Sequence, residues 1–305
     1  MQNVVEISGL TRRFRDKTAL DNVEIRVPAG SVFGLVGENG AGKTTLIKHI
    51  LGSLRAQQGQ VRVFGIDPVA DPVNVLGRIG YVSEESDLPA WMTVDELMKY
   101  MRAFYKSWDE SYAETLRRDF DIDRKTVVKD LSKGQRARAG LLTALAYRPE
   151  LLLLDEPSAG LDPVVRRDIL SAVIRTIADE GRTVIFSSHL LTEVERVADY
   201  VTMIKKGRIV FSGPLDDVKA RHRKVSFRFD TAVDTPPSTP AVLHWEGSGK
   251  EWTAFCTGEQ AEIEALARSM GAVIVAESTA SLDDIFVAQA TARVQTNQAT
   301  STSKR

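Results

Sequence analysis

Ser31 to Leu51 reads SVFGLVGENGAGKTTLIKHIL, a run in which an apolar segment, a glycine-rich loop and a helical pattern follow one another without a gap. The apolar segment, Ser31 to Val36, predicts a strand that helices cover on both faces. The segment from Lys43 to Leu51 predicts an amphipathic helix. The order of strand, loop and helix is the context in which a phosphate-binding loop occurs.

The glycine-rich loop itself matches the phosphate-binding pattern. Its glycines let backbone N–H groups approach phosphate oxygens, and the helix behind it adds its positive end. Lys43 offers a cation to the β- and γ-phosphates, and Thr44 offers a hydroxyl to Mg²⁺. An incidental glycine-rich turn is the alternative, and the flanking strand and helix disfavour it. The residues predicted to bind a nucleotide here are Gly37, Glu38, Asn39, Gly40, Ala41, Gly42, Lys43, Thr44 and Thr45.

A pair of acidic residues follows a second apolar run. Leu151 to Leu154 predicts another buried strand, and Asp155 and Glu156 come directly after it. Carboxylates at the carboxyl end of a buried strand lie where open α/β sheets bind ligands. We expect Asp155 to hold Mg²⁺ through water and Glu156 to polarise an attacking water as general base. Taken alone, the pair could be an acidic turn that Pro157 ends.

Composition excludes several classes of protein. The 305 residues are 43% hydrophobic and 27% charged, as in ordinary globular proteins. Forty basic and 41 acidic residues give a net charge of -1, so no overall field attracts nucleic acid. The single Cys256 excludes an internal disulfide framework and a multi-cysteine zinc site, and it suits a reducing compartment. No apolar run approaches the roughly 18 residues of a spanning helix, so we expect any membrane contact to pass through partner proteins.

The pattern of the first two thirds of the chain predicts an α/β fold on a largely parallel sheet. From Val4 to about Asp217, short β-branched runs alternate with helical patterns. Thr183 to Ser187 predicts a further buried strand. Val4 to Leu10 and Val23 to Val27 alternate apolar and polar residues, which predicts an antiparallel β side sheet.

Domain boundaries follow from changes in this pattern. The first domain is predicted to span residues 1–220 and to include a helical subdomain at about 85–147, where Thr93 and Glu96 form a capping box. A small C-terminal α+β domain is predicted at 221–292, with a hairpin around Gly247 and Gly249. Residues 293–305 are rich in Thr, Ser and Gln and predict a disordered tail.

A pentapeptide narrows the class. Leu131 to Gln135 reads LSKGQ and precedes a helical pattern; alone, it could be a routine helix cap. It resembles the signature of ABC ATPases, with Lys133 where that family often has glycine. The phosphate-binding loop, this signature and the pair Asp155 and Glu156 stand in ABC order, and Ser158 to Asp162 resembles the D-loop that follows them. A generic P-loop kinase or GTPase leaves the signature unexplained.

The resemblance implies further site residues. In the family, the signature caps the γ-phosphate held by the other protomer, which implies roles in ATP binding for Ser132, Gly134 and Gln135. The resemblance to the D-loop implies such a role for Asp162 as well. His189 resembles the switch histidine, although a lone histidine at a strand end is more often structural.

Two more positions extend the resemblance. Phe14 occupies the place where the family stacks an aromatic ring on adenine; the alternative is an edge-strand core residue. Glu84 stands where the family usually has a glutamine that ligates Mg²⁺; the alternative is a solvent-facing loop residue. The metal ligands implied are therefore Thr44, Glu84 and Asp155, and the catalytic residues are Lys43, Glu156 and His189.

The resemblance also implies partners. It implies an ATP-hydrolysing subunit of an ABC transporter that dimerises around two ATP with Mg²⁺ and drives separate polytopic permease subunits from the cytoplasmic face of the inner membrane. Both halves of the composite site occur in this sequence, which favours a homodimer. Ser281 to Phe286 lies in a region similar to the C-terminal extension of ATPases serving ABC-2-type exporters, which implies export. The alternative is a soluble, non-transport ABC ATPase of translation or DNA repair.

A docking surface for the permease is expected near Glu84 to Met92. Trp91 and Met92 are predicted to form an exposed apolar pair there, and the alternative is that they belong to a satellite core. No nucleic-acid partner is expected.

Overall fold

The computed structural model describes residues 2–84, 88–178, 181–236, 239 and 241–289. The chain divides into two compact units, Met1–Ser212 and Gly213–Arg305. The strands of the first part of the chain are β1 (Asn3–Phe14), β2 (Lys17–Pro28), β3 (Val32–Val36), β4 (Gln58–Val63), β5 (Ile79–Val82), β6 (Leu151–Asp155), β7 (Thr183–Ser188), β8 (Tyr200–Lys205) and β9 (Arg208–Pro214). The helices are α1 (Lys43–Ile50), α2 (Pro72–Leu76), α3 (Val94–Phe104), α4 (Glu110–Asp119), α5 (Lys133–Leu145), α6 (Pro163–Ala178) and α7 (Leu191–Val197), with a 3-10 turn at Val128–Asp130.

A six-stranded sheet in the order β5-β6-β7-β3-β8-β9 forms the centre of the first unit. The pairs β5/β6, β6/β7, β7/β3 and β3/β8 are parallel, which confirms the predicted sheet. Every residue of β3, β6 and β7 is buried, because these strands have neighbours on both sides and helices over both faces. Their carboxyl ends therefore meet at one edge, which brings the loop before α1 next to Asp155 and Ser188.

The antiparallel side sheet is also confirmed, with the order β2-β1-β4. Its inward residues share one apolar core with α1 and with the central sheet. Val5 of β1, Ile47 of α1 and Leu153 of β6 are all completely buried in this core. This shared core anchors α1, so the loop in front of the helix has a fixed position.

The helical subdomain contains α3, α4 and α5. Thr93 and Glu96 form the predicted capping box at the start of α3, where each side chain meets the backbone N–H of the other. The predicted exposed pair at residues 91 and 92 is half wrong: Trp91 is 74% exposed, whereas Met92 is 6% exposed. The backbone carbonyl of Met92 accepts a hydrogen bond from the Val128 N–H at 2.8 Å, which draws residue 92 into the subdomain core.

The second unit has an antiparallel sheet with helices. Its elements are α8 (Leu215–Ala220), β10 (His222–Phe229), β11 (Val242–Ser248), β12 (Glu251–Thr257), α9 (Gln260–Ser269), β13 (Ala272–Thr279) and α10 (residues 282–289). The strand order is β11-β12-β10-β13, and β11 and β12 form the predicted hairpin. Val225, Phe227 and Ile263 are at the centre of its own core.

The boundary between the units lies at Ser212 and Gly213, before α8, whereas the sequence placed it after residue 220. The reason is local: His222 at the start of β10 contacts the Val218 carbonyl through Nδ1 at 2.7 Å, which ties α8 to the second unit. The predicted tail, residues 293–305, lies outside the described residues. Within the described part of the chain, no helix has both the length and the apolar character needed to cross a membrane.

Candidate functional site

The loop between β3 and α1 presents backbone N–H groups at the edge of the sheet. Gly42 has φ +120°, and a Cβ there would lie 2.7 Å from the Ala19 carbonyl oxygen, so only glycine fits. No side chain caps the start of α1, and its first turn contains no acidic residue. The positive end of the helix is therefore free to attract an anion.

Lys43, the first residue of α1, points back under this loop. Its side chain is only 5% exposed, and its ammonium donates hydrogen bonds to the carbonyl oxygens of Gly37 at 2.5 Å and Glu38 at 3.3 Å. The ammonium also forms an ion pair with Glu156 Oε1 at 2.9 Å. A buried cation and a buried carboxylate thus neutralise each other at the floor of the site.

The acidic pair at the end of β6 is held by β7. Asp155 Oδ1 accepts a hydrogen bond from the Ser187 hydroxyl at 2.7 Å, and the same hydroxyl oxygen accepts one from the Glu156 N–H at 2.9 Å. Glu156 has φ +49°, a left-handed conformation that is uncommon outside glycine and often marks a functional position. Ser187 therefore joins the Asp155 carboxylate to the backbone of Glu156.

His189 completes the contacts of Glu156. Its Nδ1 lies 2.7 Å from Glu156 Oε2, and its backbone N–H donates to the same oxygen at 3.3 Å. The ring is 41% exposed, whereas the Glu156 side chain is 7% exposed. The carboxylate therefore lies between a buried lysine and a partly exposed histidine, a position from which it can exchange a proton with a bound water.

A cavity of about 310 Å³ opens above these groups. Phe14 lies on its wall, 42% exposed, with the Arg12 guanidinium 4.6 Å from the ring centroid. Phe14 is therefore not a core residue of β1, which excludes that alternative. The residues that line the cavity are Phe14, Lys17, Ala19, Asn39, Gly40, Gly42, Lys43, Thr44, Thr45, Glu84 and Glu156.

Two residues that line the cavity, Lys17 and Ala19, were not predicted from the sequence motifs. Phe14 pairs with Lys17 across the turn between β1 and β2, so the hairpin places a lysine beside the aromatic ring. The Lys17 ammonium lies 3.8 Å from the point where a Cβ on Gly40 would stand. The signal in the sequence was the basic side chain three positions after Phe14, on the strand that the hairpin folds back.

Glu84 follows β5 and is exposed. It lines the 310 Å³ cavity and also a second one of about 420 Å³, where Lys133 and Arg136 supply positive charge. Glu84 thus faces solvent and also forms part of the cavity wall. The interpretation as a solvent-facing loop residue is therefore compatible with the interpretation as a residue of the site.

The signature forms the start of α5. Ser132 and Gln135 make a reciprocal capping box: the Ser132 hydroxyl accepts from the Gln135 N–H at 3.2 Å, and Gln135 Oε1 accepts from the Ser132 N–H at 3.0 Å. Gly134 is buried, and a Cβ there would lie 2.7 Å from a Val165 methyl group. Among the described residues that line the 310 Å³ cavity, none belongs to this segment. One chain therefore does not bring its own signature to its own phosphate-binding loop.

Asp162 immediately precedes α6. Its Oδ1 accepts hydrogen bonds from the N–H groups of Val165 at 3.1 Å and Val164 at 2.9 Å. These hydrogen bonds lower the pKa of Asp162, and the bond from Val165 has the larger effect. Between Glu156 and Asp162 the chain forms a tight loop with Gly160 at φ +66°. The Lys133 ammonium lies 2.5 Å from the point where a Cβ on Gly160 would stand, so the signature and this loop touch within the chain.

Comparison with known proteins decides the family. Residues 20–159 match the sequence model of the ABC transporter family. The Bacillus subtilis ABC transporter ATP-binding protein YhaQ is 30% identical over 93% of this chain and 97% of its own length. This chain belongs to the ABC transporter ATP-binding proteins. The bacitracin transport ATP-binding protein BcrA of Enterococcus faecalis is 31% identical over 76% of each chain, and the Nod factor export ATP-binding protein I of Neorhizobium galegae is 31% identical over 93% of this chain and 84% of its own.

Solved structures agree with this assignment. An ATP-binding subunit of an ABC transporter superposes with a TM-score of 0.65 at 28% identity, over 71% of this chain and 92% of that one. A dimeric ATP-binding cassette with bound ADP and Pi superposes with a TM-score of 0.62; at 20% identity it supports the fold alone. This ABC ATP-binding protein is therefore an ATPase with the fold of an ABC cassette.

Proposed function

We propose that two copies of this ABC ATP-binding protein enclose two ATP molecules and drive export through separate membrane subunits. One observation carries the proposal: the cavity with Lys43 and Glu156 has no contribution from the signature of the same chain, although Ser132 opens a helix whose N-terminus suits an anion. Each site is completed when a second copy presents its signature to the first.

ATP binding rearranges the floor of the site. Its phosphates compete with Glu156 for the Lys43 ammonium, which lies 2.9 Å from that carboxylate. The N–H groups at the start of α1 receive the phosphates at the same time. Glu156 is released from the lysine as the nucleotide enters, so the general base becomes available only in the loaded site.

The aromatic wall suits the adenine base. Phe14 is 42% exposed on the wall of the cavity, and a flat ring at this position stacks on a base. The Arg12 guanidinium lies over the Phe14 ring, 4.6 Å from its centroid, and holds the orientation of the ring. Lys17, which pairs with Phe14 across the hairpin, adds positive charge near the phosphates.

Glu156 and His189 perform the chemistry. Released from Lys43, the Glu156 carboxylate accepts a proton from the water that attacks the γ-phosphate. His189 Nδ1 stays within 2.7 Å of Glu156 Oε2, so the imidazole orients the carboxylate and lies beside the attacked phosphate. The Lys43 ammonium then balances the charge that develops on the phosphate oxygens.

The residues present fit Mg²⁺. Thr44 and Glu84 line the cavity with hard oxygen atoms, and Asp155 lies beside Glu156 at the end of β6. Among the described residues, no group of three His, Cys, Asp or Glu side chains is arranged to hold a metal ion alone. That suits an ion which keeps waters and substrate phosphates among its ligands and supplies positive charge against the phosphates when bound.

A surface of the helical subdomain suits a membrane partner. Trp91 and Phe104 are 74% and 65% exposed, and Tyr100 contacts Phe104 with ring centroids 4.9 Å apart. A shallow cavity lined by Leu88, Pro89, Trp91, Met92 and Tyr100 adjoins them. Exposed aromatic side chains at this density are typical of protein interfaces.

The similarity to proteins named for bacitracin transport, Nod factor export and daunorubicin resistance favours export as the direction.

Copurification tests the proposal. The tagged full chain, extracted in mild detergent from the cells that produce it, is expected to bring down a polytopic membrane protein. Trp91→Glu is expected to weaken this capture, whereas Val73→Glu, at a position that is 82% exposed on α2, leaves it unchanged. Purification of the chain without any membrane protein would contradict the transport role and favour a soluble ABC ATPase.

A further inference from the structure

Glu193 is a buried carboxylate outside the cavity. It lies on α7, its side chain is 6% exposed, and it is not among the residues that line the 310 Å³ cavity. An ionised carboxylate at this depth is stable only where charges or hydrogen bonds compensate for lost water. Its partners therefore show what it holds together.

The partners of Glu193 come from both sides of the catalytic pair. Glu193 Oε2 accepts a hydrogen bond from the Ser158 hydroxyl at 2.6 Å and lies 3.4 Å from the Ser188 hydroxyl. Ser158 is two residues after Glu156, and Ser188 immediately precedes His189. The Glu193 carboxylate thus bridges the segment that carries Glu156 and the segment that carries His189. This bridge is separate from the direct contact between Glu156 and His189.

The other oxygen of Glu193 reaches the far end of the same loop. Oε1 lies 3.2 Å from Arg166 Nε, and the Arg166 guanidinium donates to the Leu161 carbonyl at 3.1 Å. The Leu161 N–H in turn donates to the Ser158 carbonyl at 3.2 Å. One carboxylate therefore accepts a hydrogen bond from the beginning of the loop from Ser158 to Leu161 and forms an ion pair with the arginine that holds its end.

We propose that Glu193 is a positioning residue for hydrolysis, which acts through Ser158 and Arg166 on the loop after Glu156. The inference rests on the proposed function, in which Glu156 is the general base. The network touches neither the phosphate-binding loop nor Phe14. Its loss therefore lowers the rate of hydrolysis at saturating ATP while the affinity for ATP is retained.

Two variants test separately the contacts of Glu193 with Ser158 and with Arg166. Ser158→Ala removes the hydroxyl with little change in volume, and Glu193→Gln keeps an acceptor for Ser158 but removes the charge opposite Arg166. Each is expected to lower kcat of the full chain about tenfold, the factor that corresponds to one hydrogen bond to a charged group. The double variant is expected to fall no further than the lower single variant, because both changes break one network.

The readouts are kcat, the dissociation constant of a fluorescent ATP analogue and the melting temperature. Glu24→Gln, at an exposed position on β2, controls for the loss of one negative charge and is expected to leave kcat within about twofold. A fall in kcat with unchanged nucleotide affinity for both test variants supports the inference.

Two results would overturn it. One is a kcat within about twofold of the unaltered chain for both Ser158→Ala and Glu193→Gln. The other is a parallel loss of nucleotide affinity and melting temperature, which would make Glu193 a general packing residue. Failure of the proposed function is distinguishable, because in that case the unaltered chain itself shows no hydrolysis that Lys43→Ala abolishes.

Discussion

Replacing Lys43 by methionine leaves the Glu156 carboxylate buried without its lysine. The two side chains are 5% and 7% exposed and their charged atoms lie 2.9 Å apart. Removal of one partner from a buried ion pair costs about 3–5 kcal/mol. Because His189 Nδ1 still lies 2.7 Å from the other carboxylate oxygen, we expect the lower end, a loss of about 3 kcal/mol in the free energy of unfolding without nucleotide.

A second substitution tests whether the unpaired charge of Glu156 causes the loss of stability in Lys43→Met. In the double variant Lys43→Met with Glu156→Gln, no buried charge is left unpaired, so we expect about 2 kcal/mol to return. The remaining loss of about 1 kcal/mol reflects the hydrogen bond that Lys43 no longer donates to the Gly37 carbonyl. Lys48→Met, at an exposed position on the same helix, is expected to cost less than about 0.5 kcal/mol.

The assay is amide hydrogen exchange of the full chain at increasing urea concentration. Exchange in β3 and β6 reports the unfolding of the first unit, and β10 and β12 of the second unit serve as an internal reference. A cost below about 1 kcal/mol for Lys43→Met would refute the reasoning. So would a double variant that is no more stable than Lys43→Met alone.

Three further perturbations follow from the same structure. Thr93→Ala removes the capping box of α3 and is expected to cost about 1 kcal/mol in the hydrogen-exchange stability of the helical subdomain, and an unchanged value would contradict this. Burial lowers the pKa of His49, so its contribution to stability is complete above about pH 6.5 and is lost as the pH falls below that value; urea titrations between pH 7 and 5.5 should show the decline, and His49→Gln should flatten it. Glu84→Gln is expected to raise the Mg²⁺ concentration needed for half-maximal ATPase rate, because a carboxylate in the cavity wall becomes neutral; identical Mg²⁺ curves would exclude a metal-side role.

Local patterns predicted most of the fold. The buried strands, the side-sheet strands and the capping box at Thr93 each leave a pattern within a short stretch of sequence, and the structure confirms them. Met92 was placed wrongly because a backbone hydrogen bond from Val128, distant in sequence, decides its burial. The two compact units divide at Ser212 and Gly213 and not at the predicted residue 220, and the contact of His222 with Val218 that ties α8 to the second unit leaves no mark in hydropathy.

The candidate site was predicted as a set of residues, but not as a set of contacts. Motifs named Lys43, Glu156 and His189, yet nothing in their spacing indicates that the lysine and the histidine hold opposite oxygens of one carboxylate. Glu193 was missed because a glutamate in a helical pattern is normally solvated. Its burial depends on how α7 packs beside β7, which only the fold establishes.

Mixing two inactive variants tests the shared site most directly. Lys43→Ala removes the phosphate cation and Ser132→Arg blocks the signature, so each homodimer is expected to be inactive. In a mixed dimer, one site carries both changes and the other carries neither. Equal mixing of the two variants should therefore restore activity to about a quarter of the sites. ATP hydrolysis that reappears on mixing is the predicted result, and a mixture as inactive as its components would contradict a site built from two copies.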